Sequence, residues 1–572
     1  MKNMRVSEVV LFFVLFGAGI AVARLGTGYQ AQTLFQMAMM TLLAIGWNII
    51  SGFTGYVSFG QVAFFGLGAY LAALTLLNFD VPWYAAAAVA ALGAGVLALP
   101  LGMIMLRLNG IFFALGMFGL ARILQLIANS LDVTGGPMGT TVPVAESPQL
   151  TALVAVLAVA IGVLLSHFLS RSRLGLTLMA TRDDSVAAEA AGVNTWKSKV
   201  AAFCISGCVA AVAGSLYIWN VGYLDPSSAF AGTIELQTVL MVLAGGIGTV
   251  WGPVVGGILI SLLSTFLWAS FPMEQQIILG VLIMFIAIAA PGGLLGELAK
   301  RGWLKRQPIW GPPPAALPQS GTLSAAPEPT QTILLTCDKL GVRFGGVRAV
   351  EDVDLEVRSG EMLAIIGPNG AGKSSLFNLM SAFHRPTAGD VRLLGQSIIG
   401  RKRYQLARGG IARTFQTSRL FPSLTVWETV LVAASSVCPR RADAVARTAQ
   451  ILDNVGLLQN WNDMPDVLPP GRQRLLEIAR ALALHPRVLL LDEAMAGMTM
   501  QEIARVHAAL RAAIERGVAV VAIEHVLPAI APLAARVQVL DFGKTIAEGI
   551  PYDVLNNPTV IEAYMGVEGV SA

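Results

Sequence analysis

The chain is 572 residues long, 55% hydrophobic and only 13% charged, with a formal charge of +4. That length exceeds one ordinary domain, and that apolarity excludes a purely soluble protein. The charge is small for the length and forms no basic stripe with interleaved aromatics, so no nucleic-acid partner is expected.

Long uncharged runs fill the first 291 residues, whereas the remainder reads as a mixed soluble domain. A bilayer core takes about 20 mostly apolar residues per helix. Ten spans are predicted, near 6–23, 30–50, 57–77, 83–106, 110–129, 150–169, 199–220, 234–249, 252–270 and 275–291. The first, flanked by Lys2 and Arg5, is read as an uncleaved helix because more spans follow it. Ten crossings put Lys2, Arg5, Arg107, Arg171, Arg173, Arg182, Lys197, Lys199, Lys300, Arg301, Lys305 and Arg306 on one side, which the positive-inside bias makes cytoplasmic. Arg24 is the exception, and the short eighth span leaves a re-entrant segment open. Arg122 is read as the one charge well inside a span, so it should face the protein interior or snorkel. Glycines crowd "SGFTGYVSFGQVAFFGLGAY" (51–70) and "LAGGIGTVWGPVVGG" (243–257), which suits close helix packing or a broken helix lining a path. Cys204, Cys208, Cys337 and Cys438 form no CxxC pair and read as packing residues.

The hydrophilic segment 171–199 holds an Ala-rich helical stretch ending at Gly192, either a displayed helix that needs a partner or a solvated connector. Residues 303–331 carry seven prolines without apolar periodicity and read as a tether. Beyond it, "EMLAIIGPNGAGKSSLFNLMSAF" is a buried strand, a glycine loop and a helix. Gly367, Pro368, Asn369, Gly370, Ala371, Gly372, Lys373 and Ser374 fit G-x-x-x-x-G-K-S in that context, with Ser375 following. The glycines let backbone N–H groups wrap phosphates, Lys373 reaches the β and γ phosphates, and the Ser374 hydroxyl ligates Mg²⁺. ATP and Mg²⁺ are therefore the expected cofactors. "RVLLLDE" ends a strand in Asp492, suited to the Mg²⁺ shell, and Glu493, suited to orienting or deprotonating the attacking water.

Gly367 to Ser375, Gln416 in "ARTFQ", "LEIARAL" before "LLLDE" and His525 in "AIEH" together resemble the nucleotide-binding domain of an ABC transporter, over essentially all of 333–567. The resemblance implies that Gln416 senses the γ-phosphate, shares in the Mg²⁺ site and faces the transmembrane partner. It also implies that His525 contacts the γ-phosphate and that Phe344 in "VRFGG" stacks on adenine. "SGFTGYVSFGQVAFFGLGAY", "TGGPMG" (134–139) and "GGIGTVWGP" (245–253) resemble the LivM-like permease of branched-chain amino acid importers, although Gln61 stands where a histidine is common. "RDDSVAAEAAGVN" (182–194) is similar to the importer loop that docks in a groove of the ATPase, and the soluble half is similar to the matching LivG-type ATPase.

One stretch departs from the pattern. Leu468-Pro469-Pro470-Gly471-Arg472 stands where the family carries LSGGQ, so a serine and two N–H donors are absent. Two adjacent prolines also suit the plain start of a helix. Ala494 replaces the usual proline and "MAGMT" (495–499) stands for the D-loop. The implied arrangement is a complete P-loop half-site joined to a degenerate signature half-site.

The expected fold is an all-α polytopic membrane domain of about ten transmembrane helices (1–302), a proline-rich linker (303–331) and an α/β P-loop NTPase domain of ABC type (332–572). The resemblance implies ATP-driven import of branched-chain or other small hydrophobic amino acids across a bacterial inner membrane, with the ATPase cytoplasmic. It also implies a second permease, a second ATPase and a periplasmic binding protein as partners. A urea, short-chain amide or aromatic acid importer is the nearest alternative, and an exporter or regulatory membrane ATPase a more distant one.

Overall fold

The computed structural model describes residues 6–271, 274–290, 292–301, 308–314, 332–495, 497–524 and 530–565. The chain forms two compact units, one of residues 1–178 and 196–307, the other of residues 179–195 and 308–572.

The first unit is helical: α1 (Val6–Leu25), α2 (Gly28–Trp47), α3 (Gln61–Phe79), α4 (Trp83–Met105), α5 (Ile111–Ser130) and α6 (Pro148–Ser170) come first. α7 (Arg173–Asp183) leads out of this unit and α8 (Ser185–Ala190) belongs to the second, after which α9 (Thr195–Val221), α10 (Pro226–Ala229), α11 (Gly232–Gly245), α12 (Gly252–Ser270), α13 (Gln275–Ala289) and α14 (Gly293–Lys300) resume the first. Each of the ten expected spans carries a helix, and seven of these are long and apolar enough to cross a bilayer among the described residues. The eighth, α11, has 14 residues by itself and reaches bilayer length only together with α10, over residues 226–245. Between α5 and α6 and again after α9, β1 (Thr140–Thr141) and β2 (Tyr223–Leu224) pair antiparallel.

Between α2 and α3 the backbone passes through a π-helical turn, Asn48–Gly52, and then unwinds. Lipid cannot satisfy such a break, so side chains must. Trp47 Nε1 donates to the Ser58 carbonyl (2.7 Å), Ser58 N–H to Ser51 Oγ (3.1 Å) and Asn48 Nδ2 to the Thr249 carbonyl (2.8 Å). Gln61, buried at the start of α3, donates from Nε2 to the Ser206 carbonyl (3.1 Å) and hydroxyl (3.0 Å). Glu235 corrects the reading of Arg122 as the one charge within a span. It lies buried in α11, where its Oε2 accepts the Val62 N–H (2.8 Å) in the first turn of α3. Gly60, which precedes α3, has no side chain to cap that turn, and the carboxylate takes its place. Arg122 Nη1 instead donates to Gln125 Oε1 (2.6 Å), with its guanidinium 5.3 Å from the Phe118 ring centroid.

The second unit is α/β. β3 (Ile333–Phe344) and β4 (Val347–Arg358) open it, then β5 (Met362–Ile366), α15 (Lys373–Met380), β6 (Ala388–Leu393), β7 (Gln396–Ser397), α16 (Arg403–Gly409) and β8 (Ile411–Arg413). After α17 (Val426–Val437), α18 (Arg441–Asn454) and α19 (Pro470–Ala483) come β9 (Val488–Asp492), α20 (Met500–Glu515), β10 (Ala519–Ile523), β11 (Arg536–Asp541) and β12 (Lys544–Gly549). The main sheet has the order β12-β11-β5-β10-β9-β8, parallel apart from the β11–β12 pair. β5, β9 and β10 are buried along their whole length, as strands covered on both faces must be. A second, antiparallel sheet has the order β4-β3-β6-β7.

The predicted tether is not bare where it is described. Ile309 is buried, its N–H donates to Glu428 Oε1 (2.9 Å), and the Arg441 guanidinium lies 5.3 Å from the Trp310 ring centroid. The Ile-Trp pair gives this stretch an apolar anchor that its prolines concealed.

Candidate active site

Parallel strands bring the loops at their carboxyl ends to one edge of a sheet, and here that edge gathers the residues after β5, β8, β9 and β10. Behind β5, the loop holding Pro368, Asn369 and Ala371 turns through Gly370 (φ 85°) and Gly372 (φ 95°), a region that L side chains rarely adopt. A Cβ on Gly372 would fall on the Ala349 carbonyl. Lys373 is buried at the head of α15, where its Nζ donates to the carbonyls of Gly367 (2.6 Å) and Pro368 (2.8 Å). Burial lowers its pKa from the ordinary lysine value, against the opposing pull of Glu493. The ammonium is thus held at the mouth of the loop, with Ser374 and Ser375 in the same turn of α15.

Asp492 ends β9 beside a residue that the sequence did not single out. Arg413, at the end of β8, is buried and places Nη2 3.0 Å from Asp492 Oδ2. Its Nη1 donates to Asn378 Oδ1 (2.7 Å) and Ser381 Oγ (2.8 Å), and its guanidinium lies 4.9 Å from the Phe383 ring centroid. The Asp492 N–H donates to Thr414 Oγ1 (3.0 Å). Burial raises the Asp492 pKa and Arg413 opposes the rise. The other carboxylate oxygen, Oδ1, is buried with no hydrogen-bond partner, an expensive arrangement for an acceptor. Such an oxygen suits a cation. Among the described residues no group of three or more His, Cys, Asp or Glu could hold a metal by itself. A hard divalent ion here would therefore need a ligand's own oxygens, as Mg²⁺ does on phosphates.

Glu493 follows Asp492 with φ 46°, a left-handed conformation costing about 1–3 kcal/mol in a non-glycine residue. Its N–H donates to the Ile523 carbonyl (2.9 Å), and its Oε1 accepts Gln416 Nε2 at 3.1 Å. Glu524, after β10, accepts the Met495 N–H (2.9 Å), and burial pushes its carboxyl up to about 7. His525 lies outside the described residues. Phe344, at the end of β3, is 45% exposed, with its ring edge-to-face on His384 at 5.2 Å.

α19 ties these loops together through charges inside the "RLLEIAR" helix. Arg474 and Arg480 flank Glu477 at i±3, a spacing that reads as a solvated ladder, yet Glu477 and Arg480 are both buried. Glu477 Oε1 accepts the Phe415 N–H (2.9 Å), Arg474 donates to the carbonyls of Phe415 (2.6 Å) and Gln416, and Arg480 donates to the Arg419 carbonyl. Burial raises the Glu477 pKa, and Arg480 opposes the rise before the Phe415 N–H and Arg474. The helix itself begins at Pro470, behind Pro469, with no side-chain cap. Arg472 turns aside, donating to Asn460 Oδ1 (3.0 Å).

The segment 179–195 belongs to this same unit. Asp184 caps α8 by accepting the N–H groups of Val186 (2.8 Å) and Ala187 (2.9 Å), and Gly192 ends the segment at φ 80°. Asp183 Oδ2 accepts Ser423 N–H and Oγ (both 2.7 Å), Asp184 pairs with Arg419 (3.0 Å), Glu189 with Arg403 (3.3 Å), and Arg408 Nε donates to the Gly192 carbonyl (2.7 Å). Four acid or carbonyl groups along the segment thus meet cations and hydroxyls between β8 and α17 and on α16, which a solvated connector would not do.

Comparison with known proteins agrees with both units. Residues 29–287 match the family model for the permease component of the branched-chain amino acid transport system, residues 350–496 that for ABC transporters, and residues 544–570 that for the branched-chain amino acid ATP-binding cassette transporter. The high-affinity branched-chain amino acid transport ATP-binding protein LivG of Salmonella typhimurium is 38% identical over 251 residues, covering 41% of this chain and 98% of that protein. BraF of Pseudomonas aeruginosa, of the same description, is 37% identical over 251 residues, covering 41% of this chain and 98% of its own. A solved nucleotide-free ATP-binding cassette from an ABC transporter is 27% identical and covers 41% of this chain and 100% of that one, with a TM-score of 0.38.

Proposed function

The chain belongs to the branched-chain amino acid family of ABC transporters, with permease and ATPase in one polypeptide, and we propose that it drives uptake of branched-chain or other small hydrophobic amino acids. It is a multi-pass membrane protein whose ATPase unit is cytoplasmic and binds nucleotide. The observation that carries the cargo assignment is that both units, permease and ATPase, match the same transport system independently.

In this reading Lys373 and the backbone of Gly367 to Ser375 hold the phosphates of ATP, and Phe344 stacks on the adenine. Asp492, Ser374 and Gln416 would hold Mg²⁺, which would supply charge neutralisation at the phosphates. Glu493 receives the proton of the attacking water, held in position by the Gln416 amide. Gln416 is also tied through Arg474 to α19, and Arg419, beside it in sequence, reaches Asp184. Closure around ATP is thereby communicated to the 179–195 segment. His525 completes the γ-phosphate contacts. A second permease, a second ATPase and a periplasmic binding protein complete the complex.

The test is ATP-dependent uptake of radiolabelled leucine into vesicles holding the assembled complex and its binding protein. Accumulation of leucine, isoleucine or valine is expected. Uptake of urea with none of leucine would overturn the cargo assignment while leaving the ATPase assignment standing.

A further inference from the structure

A half-open cavity of about 870 Å³ lies among the helices of the membrane unit, lined by α2, α9, α11, α12 and α13. Its orientation follows from charge. α9 begins beside Lys197 and Lys199 on the cytoplasmic side, so Asn220 and Val221 at its far end mark the outer face, and both line the cavity. Tyr29 and Gln32, in the first turns of α2, line the same end. From Tyr29 the wall descends to Met40, a helical drop of about 16 Å, roughly half the hydrocarbon thickness. The cavity is thus a vestibule reaching from the outer face to the middle of the membrane.

Its chemistry changes with depth. The upper wall carries the amides of Gln32, Gln36, Gln237 and Asn220, each offering two donors and an acceptor. The floor is Met40, Leu240 and Met241, apolar and, for the methionines, adaptable in shape. Among the described residues that line it, none is an acid, a lysine, an arginine or a histidine. A solute with a net charge would meet no counter-charge here and would leave much of its hydration behind. A zwitterion leaves hydration behind too, but its ammonium and carboxylate offset each other and can both bind amides, so no excess charge is left unmatched. The volume falls within the range of about 300–1,000 Å³ seen for small-ligand sites.

We propose that this vestibule is the solute-binding site of the permease, taking a net-neutral amino acid with its charged end on the Gln36–Gln237 wall and its aliphatic side chain on the methionine floor. The proposal rests on the amino acid reading above and adds where the solute sits and why charged amino acids are refused.

The experiment introduces Ser261→Cys, a lining position outside the proposed binding wall, into the full chain carrying Cys204→Ser and Cys208→Ser, in sealed right-side-out vesicles. A membrane-impermeant cationic methanethiosulfonate is added outside, and labelling is timed with leucine, lysine or glutamate present. Leucine should slow labelling at least fivefold, lysine and glutamate less than twofold, and adding Met241→Trp should remove the protection. Absence of labelling from outside, no protection by leucine, or equal protection by lysine would each overturn the proposal. Leucine uptake by the parent complex is measured in parallel. Normal uptake with no protection sinks the vestibule alone, whereas no uptake sinks the cargo assignment.

Discussion

Gln416 Nε2 donates to Glu493 Oε1 across 3.1 Å, joining the residue chain after β8 to the strained residue after β9. A glutamine at position 493 would present an oxygen to the same donor. Glu493→Gln therefore removes the charge and the proton acceptor while keeping the contact. Nucleotide binding should be unchanged, and steady-state ATPase should fall by roughly 10²-fold or more, the scale of a lost general base. Near-parental turnover would show that another group takes the proton.

Glu477 is the hub of a buried charge cluster: it accepts the Phe415 N–H at 2.9 Å and lies 3.4 Å from Arg474 and 3.6 Å from Arg480. Arg480 is almost fully buried, so removing its partner leaves an uncompensated charge. Glu477→Ala should lower stability of the ATPase unit by about 3–5 kcal/mol. Glu477→Gln, which retains an acceptor for Phe415, should cost less. The check is denaturant unfolding of the purified full chain: equal losses for the two variants would put the whole cost on the lost charge, and a loss below about 1 kcal/mol for Glu477→Ala would contradict the charge argument.

Legibility tracked the reach of each interaction. The P-loop, Asp492 and Glu493 could be read because strand, loop and helix are contiguous, and the membrane spans because lipid dictates their length. Glu235 could not, since its partner at Val62 lies 173 residues away and its span is short. Arg413 was equally opaque: nothing in "ARTFQ" says that the arginine will meet Asp492 79 residues later. Burial of Glu477 and Arg480 was hidden by a spacing that solvated helices share.

Glu189 and Gly192 carry the 179–195 segment onto the ATPase. Gly192 sits at φ 80°, where proline cannot, and a Cβ there would crowd Ser436. Gly192→Pro, or Glu189→Arg opposite Arg403 (3.3 Å), should reduce ATP-dependent uptake at least tenfold while leaving nucleotide binding in place. Restoration by Glu189→Arg with Arg403→Glu would assign the effect to the ion pair. Unchanged uptake in the single variants would reduce the segment to a connector.

Burial raises the Glu524 carboxyl to about 7, with Glu493 adding to the rise and the Met495 and Ala494 N–H groups opposing it. Because the folded pKa exceeds the unfolded one, the folded chain holds this proton more tightly. Its contribution is fully present below about 4.5, is lost as pH climbs through about 7, and stays lost above. Glu524→Gln keeps an acceptor for Met495 and cannot ionise. The thermal midpoint of the ATPase unit should then fall less between pH 5 and 8 than in the parent, the window in which this group titrates. Identical pH profiles would place the sensitivity elsewhere.

Pro469 and Pro470 form the N-cap and first residue of α19, positions whose N–H groups no helix uses, and proline's fixed φ suits the start. The helix therefore forms well, and what it lacks is donors for an anion. Pro469 offers no side-chain cap, Arg472 is engaged with Asn460 (3.0 Å), and a Cβ on Gly471 would strike the Glu502 carboxylate, so little room is left for rebuilding around that glycine. A phosphate approaching this end would find an arginine drawn aside and a carboxylate nearby. If the working site instead pairs this chain's P-loop with a partner's signature, Pro469→Ser, Pro470→Gly and Arg472→Gln together should raise ATPase of the assembled complex less than twofold. Lys373→Ala, which empties the loop of its buried ammonium, should nearly abolish it. Steady-state hydrolysis of both variants decides the matter: strong residual turnover after Lys373→Ala would mean that the site facing the prolines is the active one, and the asymmetry would run the other way.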